Sequence, residues 1–190
     1  GSNVIVLLPS WPNIPAVQKI MGAKIKGVPI SMKNGRWELD IDELFDACDS
    51  NTSVIVINSP NNPSGWTMSN EEQKVILEFA RKRGIWIVSD EVYTRISFNA
   101  KHAPSFCELI EKDDRLIIVN SFSKSWAMTG WRLGWITAPV ELGVQFEKLT
   151  EYNVAGPPPF IQQAGISALR EGESFISESN LRYSKALLYF

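Results

Sequence analysis

Six short runs of apolar residues, most of them rich in β-branched side chains, recur along this chain with helix-like segments between several of them. The runs are NVIVLL (3–8), KIKGVPI (24–30), SVIVIN (53–58), GIWIVSD (84–90), RLIIVN (115–120) and RLGWITA (132–138). Most are continuous rather than alternating, which is typical of strands buried on both faces of a parallel sheet. Strands that alternate with helices predict an α/β fold with right-handed crossovers.

The segments between and after these runs carry helix signals. Helices are predicted over 13–22, 40–48 and 69–83, and three more follow residue 138. The third of these is the best marked, because Ser69 followed by Glu72 forms a capping box and Gly84 supplies a stop. Asp40 is the expected N-cap of the second helix.

The composition excludes several classes of function. The net charge of −2 and the pI near 5.5 provide no basic face for nucleic acid. No apolar run is long enough to span a bilayer, and no signal-peptide pattern opens the chain. His102 is the only histidine, and Cys48 and Cys107 lack partners at metal-ligand spacing. We therefore expect a cytoplasmic protein with reduced cysteines that binds no metal, nucleic acid or membrane.

Polar and aromatic side chains follow four of the predicted strands. They are Trp11 in PSWPN, Asn61 and Asn62 in SPNNPSG, Asp90, Glu91 and Tyr93 in DEVY, and Ser121, Ser123 and Lys124 in SFSK. In open α/β sheets, ligands bind at the carboxyl ends of the strands, so we expect these side chains at one edge of the sheet. Taken singly, each has an ordinary explanation, such as a helix N-cap, a turn or a solvated lysine.

As a set, these side chains suit a planar, phosphorylated pyridine aldehyde. Such a ligand requires an amine for a Schiff base, an anion at its ring nitrogen and donors for its phenolic oxygen. It also requires a flat face to stack on, and cations and hydroxyls for its phosphate. Pyridoxal phosphate is that ligand, and a lysine together with an acidic partner at the pyridine nitrogen is its usual protein environment.

Four stretches, PSWPN, NSPNNPSG, SDEVY and SFSKSWAMTGWRLGW, occur in an order and with gaps that resemble the class I/II aminotransferase family of pyridoxal-phosphate enzymes. This is the aspartate aminotransferase-like family of fold type I, and the similarity runs over essentially the whole chain. The resemblance implies a three-layer α/β/α architecture with a mostly parallel sheet. It also implies that the last strand, about 132–138, is antiparallel and that C-terminal helices follow it.

The resemblance also implies a role for each matching residue. Lys124 forms the Schiff base with the cofactor and, once displaced, moves a proton between the substrate and the cofactor. Asp90 pairs with the pyridine nitrogen and keeps it protonated. The remaining cofactor-binding residues are Asn62 and Tyr93 at the phenolic oxygen, Trp11 on the ring face, and Ser121, Ser123 and Arg132 at the phosphate. The Asn62–Pro63 bond is expected to be cis, because X–Pro bonds lose most of the trans preference.

Residues 1–172 resemble most of the cofactor-binding large domain, and residues 173–190 resemble the start of the long helix that leads to a small domain. The family's phosphate loop and small domain are expected to lie outside this chain, which would leave the 190 residues catalytically incomplete. The whole protein is expected to be a homodimer.

The implied function is transfer of an amino group between an amino acid and a 2-oxo acid. Two alternatives stay open at this point. Carbon–sulfur lyases and aminocyclopropane-carboxylate synthases carry a similar signature, and some transcription regulators contain an aminotransferase-like sensor domain that is not catalytic.

Overall fold

All six apolar runs form strands in the computed structural model, which describes residues 2–189. Gly1 and Phe190, where the predicted domains 1–172 and 173–190 begin and end, lie outside the described residues. The strands are β1 (Asn3–Leu8), β2 (Lys24–Lys33), β3 (Arg36–Leu39), β4 (Thr52–Asn58), β5 (Trp86–Asp90), β6 (Leu116–Ser121) and β7 (Gly134–Thr137). The α-helices are α1 (Asn13–Ile20), α2 (Ile41–Ala47), α3 (Asn70–Arg83), α4 (Phe122–Ser125), α5 (Gly143–Asn153), α6 (Pro159–Glu171) and α7 (Glu173–Ala186).

The strands belong to one seven-stranded sheet with the order β3-β2-β1-β4-β5-β6-β7. The pairs β1–β2, β1–β4 and β4–β5 are parallel, as the helical connections between them require. β1 shows why the apolar runs are continuous, since Val4, Ile5, Val6 and Leu7 are all buried although alternate side chains point to opposite faces. The predicted α/β class and mostly parallel sheet are confirmed.

One strand, β3, was not predicted. β2 extends to Lys33 and returns through Asn34 and Gly35 to pair antiparallel with β3, with Lys33 opposite Arg36. Both turn residues have positive φ, 50° and 77° respectively, which is the backbone of a type I′ hairpin turn. Asn-Gly is the strongest short hairpin signal in a sequence, so this dipeptide could have predicted the turn.

The direction of β7 follows from two contacts with β6. Phe122 N donates to Leu133 O, and a Cβ on Gly134 would collide with the carbonyl oxygen of Asn120. Moving forward along β7 therefore corresponds to moving backward along β6, which is the antiparallel direction predicted for the last strand. Only glycine permits this close approach of the two backbones.

Helix ends follow their local signals closely. The capping box of α3 is present, with Ser69 Oγ accepting from Glu72 N and Glu72 accepting from Ser69 N. Gly84 ends this helix in the left-handed conformation with φ of 66°. Asp40 caps α2 by accepting from two backbone N–H groups.

No helix in the described part of the chain is long and apolar enough to cross a membrane.

The chain divides into two compact units. The first comprises the residues up to Glu91 together with Pro104–Ile118, and the second comprises Val92–Ala103 together with the residues from Val119 onward. The main core of the first unit includes Ile5, Ile55, Ile87 and Phe106. The second unit has a smaller core, in which Phe122, Trp126 and Ile176 are buried.

Candidate active site

Three of the predicted site residues stand at the carboxyl ends of parallel strands of the first unit. Trp11 follows β1, Asn62 follows β4 and Asp90 is the last residue of β5. Because β1, β4 and β5 are parallel neighbours, their carboxyl ends meet at one edge of the sheet. Trp11 is 50% exposed, so it is not a buried residue of the core.

Asn58, which sequence analysis did not single out, joins Asn62 to Asp90. Asn58 lies opposite Asp90 in the β4–β5 ladder, and its Nδ2 donates to Asp90 O at 3.1 Å. Its Oδ1 accepts from Asn62 N at 2.8 Å, and Ser59 N also donates to Asp90 O. One buried amide therefore sets both the path of the loop that carries Asn62 and the end of β5 that carries Asp90.

Asn61 organises the same loop from its other side. Its Nδ2 donates to Pro9 O at 3.2 Å, which ties the loop after β4 to the segment that leads to Trp11. Its Oδ1 accepts from Ser64 N and Ser64 Oγ, so the turn is closed by the asparagine side chain. The Asn62–Pro63 peptide bond is cis, as predicted.

The second unit contains Lys124 in α4, the short helix that follows β6 directly. Ser121 ends β6 and its Oγ accepts from Ser123 N at 3.0 Å, which turns the chain into this helix. Lys124 is exposed, and its Nζ lies 5.6 Å from the centroid of the Tyr93 ring. This is the distance of a cation–π contact, and it brings together two residues predicted to share a site.

Arg132 is held beside the same helix by a chain of hydrogen bonds. Thr129 Oγ1 donates to Ser123 O at 2.9 Å, and Arg132 Nη1 donates to Thr129 O at 2.9 Å. Arg132 has φ of 52°, a left-handed backbone conformation that a residue other than glycine rarely adopts. Such outliers concentrate at functional sites, which supports a specific use for this guanidinium. Thr129 was not predicted.

An aromatic cluster stabilises α4. Phe122 packs against Trp126 and Trp135, with ring centroids 5.0 Å and 5.1 Å away. Trp126 Nε1 donates to Ala168 O at 2.9 Å, and Gly172 leaves room for the same indole. The hydrophobic effect and these edge contacts fix the helix that presents Lys124.

Glu91 is a fully buried carboxylate directly after Asp90. Ser89 Oγ donates to its Oε1 at 3.1 Å, Phe106 N donates to its Oε1 at 3.0 Å, and Ser105 Oγ donates to its Oε2 at 2.5 Å. Burial raises the pKa of Glu91 because desolvation disfavours the charged form, although the three donors act in the opposite direction. Glu91 was noted in the sequence only as part of the DEVY stretch.

Each unit thus gathers part of the predicted set. In the first unit, Asn62 and Asp90 meet through Asn58, and the segment before Trp11 meets Asn61. In the second unit, Tyr93 lies by Lys124, Ser121 caps the turn to Ser123, and Arg132 is tied to that turn through Thr129. No group of three or more histidine, cysteine, aspartate or glutamate side chains within residues 2–189 is placed to hold a metal ion.

The chain is similar to known aminotransferases. The family model for aminotransferase class I and II matches residues 1–187. An aspartate aminotransferase of Pyrococcus horikoshii is 37% identical over 188 residues, covering 97% of this chain and 47% of the relative. An arginine–pyruvate transaminase of Pseudomonas aeruginosa is 36% identical over 169 residues, covering 89% of this chain and 42% of the relative.

Solved structures show the same fold. The crystal structure of an aromatic aminotransferase from Pyrococcus horikoshii superposes with a TM-score of 0.89 at 32% identity, covering 97% of this chain and 50% of that one. N-succinyldiaminopimelate aminotransferase from Mycobacterium tuberculosis superposes with a TM-score of 0.90 at 29% identity, covering 100% of this chain and 50% of that one. The chain therefore spans about half the length of the relatives it matches. With a family match over nearly all its residues, the chain belongs to the class I and II aminotransferase family.

Proposed function

We propose that the protein is a pyridoxal-phosphate-dependent aminotransferase that moves an amino group between an amino acid and a 2-oxo acid. The observation that carries the proposal is the contact of Lys124 Nζ with the Tyr93 ring, 5.6 Å from its centroid. An amine and a phenol from distant parts of the sequence are brought together at the end of a buried strand. This is the chemistry that an aldehyde cofactor with a neighbouring phenolic oxygen requires.

The residues present fit pyridoxal phosphate. Lys124 offers an exposed primary amine, and Trp11 offers an indole that is half exposed. Asp90 supplies a carboxylate whose backbone is held in place by Asn58. Arg132 carries an exposed guanidinium on a strained backbone, and the fork of a guanidinium suits a phosphate.

Each of these side chains then has a distinct task. Lys124 Nζ would hold the cofactor's aldehyde carbon. Once the substrate amine has displaced it, Nζ would take the proton from the substrate α-carbon and deliver it to that cofactor carbon. The carboxylate of Asp90 would hold a proton on the ring nitrogen. When bound, pyridoxal phosphate supplies a conjugated ring that accepts the electron pair left on that α-carbon.

The other residues orient the group. We propose that Asn62 Nδ2 and the Tyr93 hydroxyl donate to the phenolic oxygen and that Trp11 stacks on the ring. Hydroxyls of Ser121 and Ser123 and the guanidinium of Arg132 would bind the phosphate. An arginine that is already held by Thr129 loses less side-chain entropy when it binds an anion.

Further properties of the whole protein are proposals on the same basis. We propose that residues 1–172 are part of the cofactor-binding domain and that residues 173–190 begin the connection to a second domain. We also propose a cytoplasmic homodimer. A sedimentation experiment on the full-length protein tests the dimer.

The decisive experiment replaces Lys124 in the full-length protein. Because relatives of similar identity have different named substrates, the assay uses a panel of amino acids with several 2-oxo acids. Lys124→Ala should lower the transamination rate by at least about 10²–10⁴-fold, the usual contribution of a positioned general base. Lys148→Ala, which removes an exposed lysine from α5, is the matched control and should leave the rate unchanged.

Full turnover in Lys124→Ala would contradict the proposal. Release of ammonia and a thiol from cystathionine without a 2-oxo acid would instead favour a carbon–sulfur lyase. Binding of the cofactor without turnover of any substrate pair would favour the sensor.

A further inference from the structure

Glu91 is a buried carboxylate next to Asp90, and the proposed chemistry gives it no role. Its side chain is 1% exposed, and its oxygens accept from Ser89, Ser105 and Phe106. A buried carboxylate is costly unless it is well hydrogen-bonded, so this arrangement is specific rather than incidental.

The bonds of Glu91 connect two points that are separated along the chain. The chain leaves the first unit after Glu91 and returns to it at Pro104. Ser105 and Phe106 follow directly after this return. Glu91 therefore fastens the end of β5 to the returning segment. That segment is itself anchored, since Phe106 is fully buried and Gln73 Nε2 of α3 donates to Pro104 O at 3.2 Å.

The end of β5 is consequently held from two directions. Asn58 Nδ2 and Ser59 N hold the carbonyl of Asp90 from the side of β4. Glu91 holds the next residue from the side of the returning segment. Side chains alternate along β5, and Ser89 Oγ donates to Glu91, so the Glu91 carboxylate lies on the face of Ser89 and Asp90 points to the opposite face. Holding the Glu91 carboxylate in place therefore also fixes the direction of the Asp90 carboxylate.

We propose that Glu91 is a positioning residue whose carboxylate, bonded to Ser105 and Phe106, fixes the orientation of the Asp90 carboxylate toward the ring nitrogen of the cofactor. This inference rests on the proposed function. It concerns only the first unit, because all the residues that carry it belong to that unit.

The geometry distinguishes the effect of shape from that of charge. In Glu91→Gln, the amide oxygen can still accept from Phe106 N and the amide nitrogen can donate to Ser105 Oγ, so the connection survives. In Glu91→Ala, all three donors lose their acceptor, and the end of β5 is no longer fastened to the returning segment. A positioning role therefore predicts that glutamine restores what alanine removes.

The test compares pyridoxal phosphate with an analogue that has a carbon–hydrogen group in place of the ring nitrogen. Dissociation constants for the full-length protein are measured by the quenching of tryptophan fluorescence. Glu91→Ala should raise the constant for pyridoxal phosphate about tenfold and that for the analogue less than about twofold, while Glu91→Gln should stay within about threefold of wild type for both ligands. Because Glu91 acts through Asp90, Asp90→Ala with Glu91→Ala should bind no more weakly than Asp90→Ala alone.

Glu78→Ala, which removes an exposed glutamate from α3, is the matched control and should change neither constant. If Glu91→Ala does not fold, Ser105→Ala removes one donor to Glu91. It should also raise the dissociation constant for pyridoxal phosphate more than that for the analogue, but by a smaller factor than Glu91→Ala. Equal weakening of both ligands, or additive effects in the double variant, would overturn the inference. If wild type bound neither ligand, the proposed function itself would be wrong.

Discussion

Asp114 shows at the residue scale how one carboxylate can support the first unit. Its side chain is 4% exposed and is gripped by Arg81, whose Nε and Nη2 donate to the two oxygens at 2.6 Å and 2.7 Å. Glu111 N adds a third bond at 2.7 Å. The Arg81 hydrogen bonds are the main reason that the pKa of Asp114 is lowered from its ordinary value.

We expect Asp114→Asn to lower the free energy of unfolding at pH 7 by about 1–3 kcal/mol, the range for hydrogen bonds to charged groups after allowance for the partly exposed arginine. Since the pKa is lower in the folded state, the ionised form contributes stability above the unfolded pKa of about 3.9 and loses it as the pH falls through the folded value. Urea denaturation at several pH values measures both effects. Because the ionised form loses its contribution at low pH, the difference in free energy of unfolding between wild type and Asp114→Asn should become smaller in acid.

Asp113→Asn is the matched control, because Asp113 is the exposed neighbour. Equal stability losses for the two variants at pH 7 would show that the pairing with Arg81 contributes nothing measurable.

The sequence indicates the place of a residue that stands at the end of a strand, but it does not indicate a role that burial decides, and the proposed roles of the site residues stay predictions. Asp90, Asn62 and Lys124 could be selected because strand ends are recognisable from apolar runs. Glu91 could not be distinguished from an ordinary exposed glutamate, since its three donors come from segments that only the tertiary structure assembles. Asn58 was not predicted, because its hydrogen bonds with Asp90 O and Asn62 N form only once the tertiary structure has assembled.

At the scale of elements, α3 has the clearest local determinants in the chain. The capping box at Ser69 starts it, Gly84 ends it, and its buried face supplies Ile76, Leu77 and Ala80 to the core of the first unit. Removing the cap leaves backbone N–H groups of the first turn without an acceptor.

We expect Ser69→Ala to lower the free energy of unfolding by about 1 kcal/mol, as is usual for a lost N-cap. Ser69→Asp keeps an oxygen acceptor and should stay within a few tenths of a kcal/mol of wild type, roughly the spread among good N-caps. Denaturant unfolding of the three proteins measures the difference. If aspartate were as destabilising as alanine, the loss would not come from the cap.

Elements were predicted best where the signal is local. The ends of β1 and α3 came within one residue of the prediction, because an apolar run and a capping box specify them directly. β3 was not predicted because RWEL is a short edge strand in which exposed and less exposed residues alternate, so it forms no continuous apolar run. The helix expected soon after residue 138 begins as α5 only at Gly143, since Pro139 is followed by a short 3₁₀ turn over Val140–Leu142.

At the scale of the whole molecule, the alternation of strands and helices was sufficient to predict the α/β class. It was not sufficient to predict the two units, because Val92–Ala103 belongs with residues that come after Ile118. Adjacency along the chain carries no information about such an excursion. The proposed division at residue 172 rests on the family resemblance and stays a prediction.

Cofactor binding should be visible as a change in the stability of the whole protein. A ligand that binds only the folded state at 100 times its dissociation constant adds about 2.7 kcal/mol. For a protein as long as the matched relatives, which is roughly twice the length of this chain, that corresponds to a rise in melting temperature of roughly 3–4 °C, because the entropy of unfolding grows with chain length. We therefore expect pyridoxal phosphate to raise the melting temperature of the full-length protein by this amount, and pyridoxal, which lacks the phosphate, to raise it less at equal concentration.

Arg132 makes this prediction specific, because its proposed partner is the phosphate. Arg132→Ala should bring the shift with pyridoxal phosphate down to that with pyridoxal, while leaving the pyridoxal shift unchanged. Arg170→Ala, which removes an exposed arginine from α6, is the matched control and should keep the full difference. Differential scanning fluorimetry measures all six combinations of protein and ligand. A surface lysine that reacted unspecifically with either aldehyde would give equal shifts in all three proteins, and this result would contradict the assignment of Arg132 to the phosphate.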